Sequence, residues 1–232
     1  MIIRPAGTRL HFITQPDHAR LSRAVMEACP TLSTNPRRAQ ILLAIGEHDN
    51  GWTEPDATPI VDPATGNPVD FVSAPLAIRH GVWPRAVQHL AHDPWASALV
   101  AQHAITVYDR HVSDPQWLSF FVRMASLRDD MLRASGEDPA ALAGDYVFVR
   151  LGDLISLAFC TGWTDALRFA DWTVMRSGTH VNVSPDPFAG EAIAVEVQAR
   201  ELAQRPYRDS AELQSAFARG KVIVLQGTVS GT

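Results

Sequence analysis

The chain has 232 residues, 46% hydrophobic and 19% charged, a composition that supports a sizeable buried core in a single domain spanning 1–232. Its formal net charge of −5 and pI near 6.0, with no block of Lys and Arg, argue against bulk nucleic acid as a partner. Two cysteines outside any CxxC or zinc-ribbon spacing, an N-terminus without an apolar signal core and no run long enough to span a bilayer set the expectation of a cytoplasmic protein with no membrane partner.

In chain order, Ile2-Ile3 and Leu10 to Ile13, separated by the turn-like Pro5-Ala6-Gly7, predict a short hairpin. Thr14 then reads as the cap of a helix from about Pro16 to Cys29, where Leu21, Val25, Ala28 and Cys29 keep helical spacing and Pro30 closes the segment. Asn35 with Pro36 opens the next helix, which carries ILLAIGEHDNGW (Ile41 to Trp52). Residues 50–75, rich in Pro, Asp, Thr and Gly, predict a long loop, and helical patterns return over roughly 84–92, 94–112, 115–134 and 145–161.

After Trp163 the texture changes. His180 to Val183, Ala192 to Val197 and Lys221 to Leu225 alternate or are β-branched, with one short helix over 209–219 between them. The expected fold class is α+β, mainly α: a helical body over 14–163 beside a small antiparallel sheet built from 1–13 and 171–229.

Four of the helices carry an acid or an imidazole on the apolar face. His18 shares a face with Leu21 and Val25. His48 and Asp49 continue the stripe of Ile41, Leu42 and Ile45; His103 lies between Leu99 and Val107; and Asp153 lies between Val149 and Leu157. A lone core histidine is usually satisfied by a backbone carbonyl, but a buried carboxylate costs several kcal/mol unless a cation or hydrogen bonds compensate it. One divalent ion, or two, held by His18, His48, Asp49, His103 and Asp153 would satisfy all five, and mixed nitrogen and oxygen ligation suits iron, manganese, nickel or zinc. A salt bridge from Arg20 or Arg150, each about one turn from an inward residue, would satisfy only one acid.

The order of a helical His18, the doublet His48-Asp49 and a distant helical Asp153 resembles the HD-domain superfamily of metal-dependent phosphohydrolases. More closely, the phrases ITQPDHARLS, ILLAIGEHDNGW, ALVAQHAITVY and LGDLISLAFC together look like a bacterial family catalogued only as a domain of unknown function. The resemblance implies an HD-like helical body in which His18, His48, Asp49 and Asp153 are metal ligands and His103 is a neighbour suited to a second ion. The chain departs from the catalytic members in having no Lys or Arg one turn after the doublet, and Asn50-Gly51-Trp52 leads straight into the loop.

The function this reading predicts is metal-dependent hydrolysis of a phosphoester or a related small anionic molecule. Glu47 is the nearest acid or base, although its side chain leaves the His48 face and a solvated role is the plainer one; Arg20, Arg110 and Arg150 are the cations for a substrate anion. Two alternatives stay open: a two-iron oxygenase, and a non-catalytic sensor or scaffold stabilised by its metal. Trp52 and Trp83 read as core residues at the base of the loop or as the lining of a pocket, and His80, His89 and His92 read as surface residues.

Overall fold

The computed structural model describes residues 1–232. The chain opens with the hairpin β1 (Ile2–Ala6) and β2 (Arg9–Ile13), then runs through eight helices: α1 (Gln15–Met26), α2 (Pro30–Ser33), α3 (Arg38–Glu47), α4 (Thr53–Ala57), α5 (Leu76–His89), α6 (Pro94–Val107), α7 (Leu118–Ser135) and α8 (Leu142–Thr161). It closes with β3 (Leu167–Phe169), β4 (Trp172–Ser177), β5 (His180–Ser184), β6 (Ala192–Ala203), α9 (Ser210–Arg219) and β7 (Lys221–Gly231). No helix is long and apolar enough to cross a membrane.

The expected small antiparallel sheet beside an all-helical, HD-like body is not what forms. All seven strands join one curled sheet in the order β1-β2-β6-β7-β5-β4-β3, and β5 pairs with β7 in parallel, so the sheet is large and mixed. Two strands form where the sequence has no strand-like pattern. Leu167–Phe169 and Trp172–Ser177 are short and carry few β-branched residues; a tight turn at Ala170 (φ 48°) joins them, and Gly178 (φ 62°) turns β4 into β5. β6 and β7 also run well beyond the segments recognised by β-branched content. Residues such as Gln198, Arg200 and Glu201 are held in strand by pairing with β7, and Arg200 and Glu201 pair with β2 as well.

The helices do not stand apart from this sheet. α1 packs on β6, while α8 crosses under β1, β3, β4 and β5, and one continuous apolar core joins Ile2, Val174, Val181 and Val195 to the helical Val25, Ile45, Leu99 and Ile155. α8 is therefore buried nearly all round, with α1, α3 and α6 on its other sides. Its first turn is pinned by Asp145, a buried carboxylate that accepts from Asn35 Nδ2 (2.9 Å), Arg37 Nε (2.6 Å) and Trp95 Nε1 (3.0 Å).

The helix boundaries follow local chemistry with some shifts. Thr14 caps α1, accepting from Asp17 N at 3.1 Å, with Pro16 in the first turn. Pro30 starts the short α2 where an end of helix was read, and the long loop holds α4. Pro84 lies inside α5, which begins eight residues earlier than the sequence pattern suggested, at Leu76.

Gly152 is the close-approach point for the site. A Cβ there would lie 2.8 Å from Met26 Cγ on α1 and 3.3 Å from Ile45 Cγ2 on α3, so only a residue without a side chain lets α8 bring Asp153 against both neighbours. Gly152→Val is expected to destabilise the fold by about 1–3 kcal/mol through overpacking, measured as a lower urea midpoint, and to weaken metal uptake alongside.

Candidate metal centre

Each inward residue arrives by a different route. His18 sits on the second turn of α1. His48 caps α3 with helical dihedrals (φ −56°, ψ −31°) and so stays on the buried face, whereas Asp49 (φ −106°, ψ 15°) has already left the helix and turns its carboxylate to the same point. His103 comes from α6 and Asp153 from the middle of α8. None of the five is more than 5% exposed.

Their tips converge. His48 Nε2 lies 3.3 Å from His18 Nε2. Asp153 Oδ1 is 3.1 Å from His18 Nε2 and 3.5 Å from His48 Nε2, and Asp49 Oδ2 is 3.7 Å and 3.5 Å from the same two nitrogens. His103 Nε2 lies farther out, 3.8 Å from Asp153 Oδ2. His18, His48 and Asp49 form one group able to hold a metal ion and His48, His103 and Asp153 another, each with ligand atoms within 4.8 Å of one another.

The outer nitrogen of each imidazole is tied down. His48 Nδ1 lies 2.7 Å from the Ile45 carbonyl, which can only accept, so Nδ1 carries the proton and Nε2 offers its lone pair to the centre. Ser156 Oγ donates to the Asp153 carbonyl at 3.0 Å and lies 2.7 Å from His18 Nδ1, with Ser22 Oγ at 2.6 Å; with its proton on that carbonyl the hydroxyl accepts from His18 Nδ1, which leaves His18 Nε2 bare. His103 Nδ1 meets the Tyr146 hydroxyl at 3.2 Å. Orientation of a ligand imidazole through its far nitrogen is what metal sites require. In that arrangement two bare Nε2 atoms 3.3 Å apart, flanked by two carboxylates, are four electron-rich groups with no donor between them. A cation resolves the conflict, and nitrogens bound at about 2.0–2.1 Å to one ion lie roughly 2.8–3.4 Å from each other at octahedral to tetrahedral angles.

Without an ion, a proton takes that place. Burial opposes charge on His48, but Asp49, Asp153 and the Ile45 carbonyl outweigh it and push the imidazole up to about 9. Burial raises Asp153 as well, yet the hydrogen bonds of His18 and His48 and the charges nearby hold it well below the carboxylate range. Asp49 is raised by burial more than the two imidazoles lower it, and burial holds His103 well below 6.5.

The centre opens on one side into a cavity of about 220 Å³. Asp49, His103 and Asp153 lie at its floor, with Gln15, Trp52, Trp83, Tyr108, Arg79 and Arg150 along its sides and Phe71, Val72, Trp163 and the exposed Arg110 at its mouth. Arg150 Nη1 donates to Asp153 Oδ2 at 2.5 Å. The Nε groups of Arg79 and Arg150 and the indole N–H groups of Trp52 and Trp83 have no acceptor in the protein, and Gln15 Oε1 has no donor.

The structure thus brings His18, His48, Asp49, His103, Asp153, Arg110 and Arg150 to one place. It does not bring Arg20, which is exposed and paired with Asp17 in a separate groove, or Glu47, which is half-buried and does not line the cavity. Trp52 and Trp83 prove to be both buried and lining, and His80 packs against Trp117 and Phe120 instead of standing free. Sequence reasoning missed Ser156, Tyr146, Arg79, Phe71 and Trp163. Ser156 and Tyr146 were within reach, lying three residues after and seven before Asp153 on one helix face; Phe71 and Trp163 come from loops with no periodicity to read.

These features define an α+β protein with a buried His/Asp centre, able to hold a metal ion, beneath a cavity rich in donors. The chain belongs to the family described as protein of unknown function (DUF3891), whose family model covers residues 1–204. No curated protein and no solved structure matches it.

Ser156→Ala removes the partner of His18 Nδ1 without touching the ligand atoms, and a drop of about 10–100-fold in metal affinity is expected by competition with a chelating dye. A pH effect follows from His48. In the metal-free protein its folded value near 9 stands above the ordinary 6.5, so its contribution to stability is complete below about 6.5 and is lost as the pH rises through 9. The raised Asp49 acts in the same direction, while His103 and Asp153, both held low, stay deprotonated across that window. The urea midpoint of the metal-depleted protein is expected to fall between pH 6.5 and 9, and His48→Gln to remove most of that fall.

Proposed function

We propose that the protein is a metal-dependent hydrolase of a phosphoester or a closely related small anion, with His18, His48, Asp49 and Asp153 as ligands of one divalent ion. The observation that carries this reading is the meeting of two surfaces. The buried His/Asp centre forms the floor of a cavity lined by the side chains of Arg79, Arg110 and Arg150 and of Trp52 and Trp83. Three guanidiniums around a cation site suit an acceptor-rich anion and supply the geometry that phosphate oxygens prefer.

A bound divalent cation would supply hydroxide at neutral pH by lowering the pKa of its water toward roughly 7. In the hydrolysis the water oxygen bonds to phosphorus, the ester P–O bond breaks, and the alcohol leaves with a proton from that water. Arg150 and Arg79 hold the phosphoryl oxygens, and the buried tryptophans exclude bulk water from the floor. Arg20 and Glu47 take no part in this reading, since neither lines the cavity.

One ion is favoured over two. His48 belongs to both candidate groups, but its Nδ1 is committed to the Ile45 carbonyl, so it cannot bridge. The second position, between His103 and Asp153 Oδ2, already faces the Arg150 guanidinium at 2.5 Å. That positive charge stands where a second cation would, which weighs against the two-iron reading.

Elemental analysis of the protein purified without an affinity tag is expected to give about one equivalent of iron, manganese, nickel or zinc, lost in His48→Ala and kept in Arg20→Ala. Arg150→Ala is expected to keep the metal and to raise KM for a chromogenic phosphomonoester by about tenfold or more. An empty protein after incubation with those four metals would refute the reading, and a loaded protein inert toward every phosphoester would leave a structural metal.

A further inference from the structure

The cavity is graded from its floor to its mouth. At the floor stand the carboxylates of Asp49 and Asp153 and the His103 imidazole, all buried; Arg150 and Arg79 are half-buried above them. The mouth adds apolar surface beside the exposed Arg110. Phe71 and Val72 from the loop before α5 and Trp163 from the turn after α8 form an apolar lip, continued inward by Val107 and Leu157. Trp163 is 42% exposed and Val72 43%, and Trp163 is the one aromatic among the large hydrophobic side chains left this open to solvent. The Phe71 and Trp163 rings lie 6.2 Å apart with planes inclined by 31°. A ring sandwiched between two others needs about 7 Å, two contact gaps of about 3.5 Å, so these two offer one continuous wall and no slot between them.

Size narrows what fits. At about 220 Å³ the cavity is smaller than the ~300–1,000 Å³ of ordinary small-molecule sites. An anionic head on the arginines and one ring-sized body against the lip fill it.

We propose that the substrate is a small aryl-bearing anion, a phosphomonoester whose alcohol half is a single aromatic ring, and that Phe71 and Trp163 select it by stacking while Arg79, Arg150 and the metal centre take its head. This rests on the hydrolase reading above and adds the chemistry of the leaving half. The balanced reaction is aryl phosphate plus water giving phenol and inorganic phosphate: the aryl O–P bond breaks, a water O–P bond forms, and one water proton goes to the phenolate oxygen.

Phenylphosphonate and methylphosphonate share the same anionic head and resist hydrolysis at their P–C bond, so they separate the two halves of the site. Calorimetric titration of the metal-loaded full chain is expected to give a Kd for phenylphosphonate about tenfold or more below that for methylphosphonate. Trp163→Ala, at an exposed position that leaves the core intact, is expected to bring the ratio close to one by weakening phenylphosphonate alone, and Trp163→Phe to restore it. Equal binding of the two phosphonates, or a preference that survives Trp163→Ala, would overturn the aryl assignment and leave the hydrolase reading standing. Failure of both phosphonates and of inorganic phosphate to bind the loaded protein would overturn the anion site itself.

Discussion

Two imidazole nitrogens 3.3 Å apart, each with its lone pair turned inward and each beside two carboxylates, cannot rest in an apolar core without a positive charge between them. The outer hydrogen bonds remove the easy escape. His48 cannot flip its tautomer without leaving the Ile45 carbonyl facing a second acceptor, and His18 is held by the Ser156–Ser22 pair. Desolvating such a group costs several kcal/mol per ion unless the charges are matched, which is a cost that natural cores accept where the charge has a use. The fold has been arranged around satisfying this one cluster.

α8 carries most of that arrangement. Its first turn is fastened through Asp145 to the start of α3 and to Trp95 of α6; its middle presents Asp153 beside Gly152, where α1 and α3 come closest; and its flank lies on the sheet. The clustered imidazoles and carboxylates therefore ride on, or directly follow, helices locked to one another and to seven strands, and a shift in any of them is resisted by the common core. The sheet matters to the site for this reason. It supplies no ligand, yet it covers the faces of α1 and α8 that would otherwise meet water.

Arg150 joins the centre to the cavity. Its guanidinium neutralises the outer oxygen of Asp153, which leaves the inner oxygen directed at His18 and His48, and the side chain also lines the cavity. One side chain thus balances the buried charge and faces any ligand that approaches from the mouth.

Much of the centre was legible in the sequence. Imidazoles and carboxylates at helical spacing with Leu, Ile and Val point inward with that stripe, and the five residues so placed, His18, His48, Asp49, His103 and Asp153, are the ones the fold brings together. The helices were legible too, through their caps and periodicity, to within a few residues at most ends; Pro84 inside α5 was the chief exception. The sheet was not. Short strands such as Leu167–Phe169, and the polar second half of β6, have no local preference strong enough to declare themselves; they become strands because β4, β7 and β2 offer them partners. The cavity was equally hidden, since Arg79, Phe71, Arg150 and Trp163 lie on four separate segments. Local periodicity thus determined which groups are buried, whereas only the packing of distant segments decided what they face, because contacts between residues far apart in the chain leave no period in it.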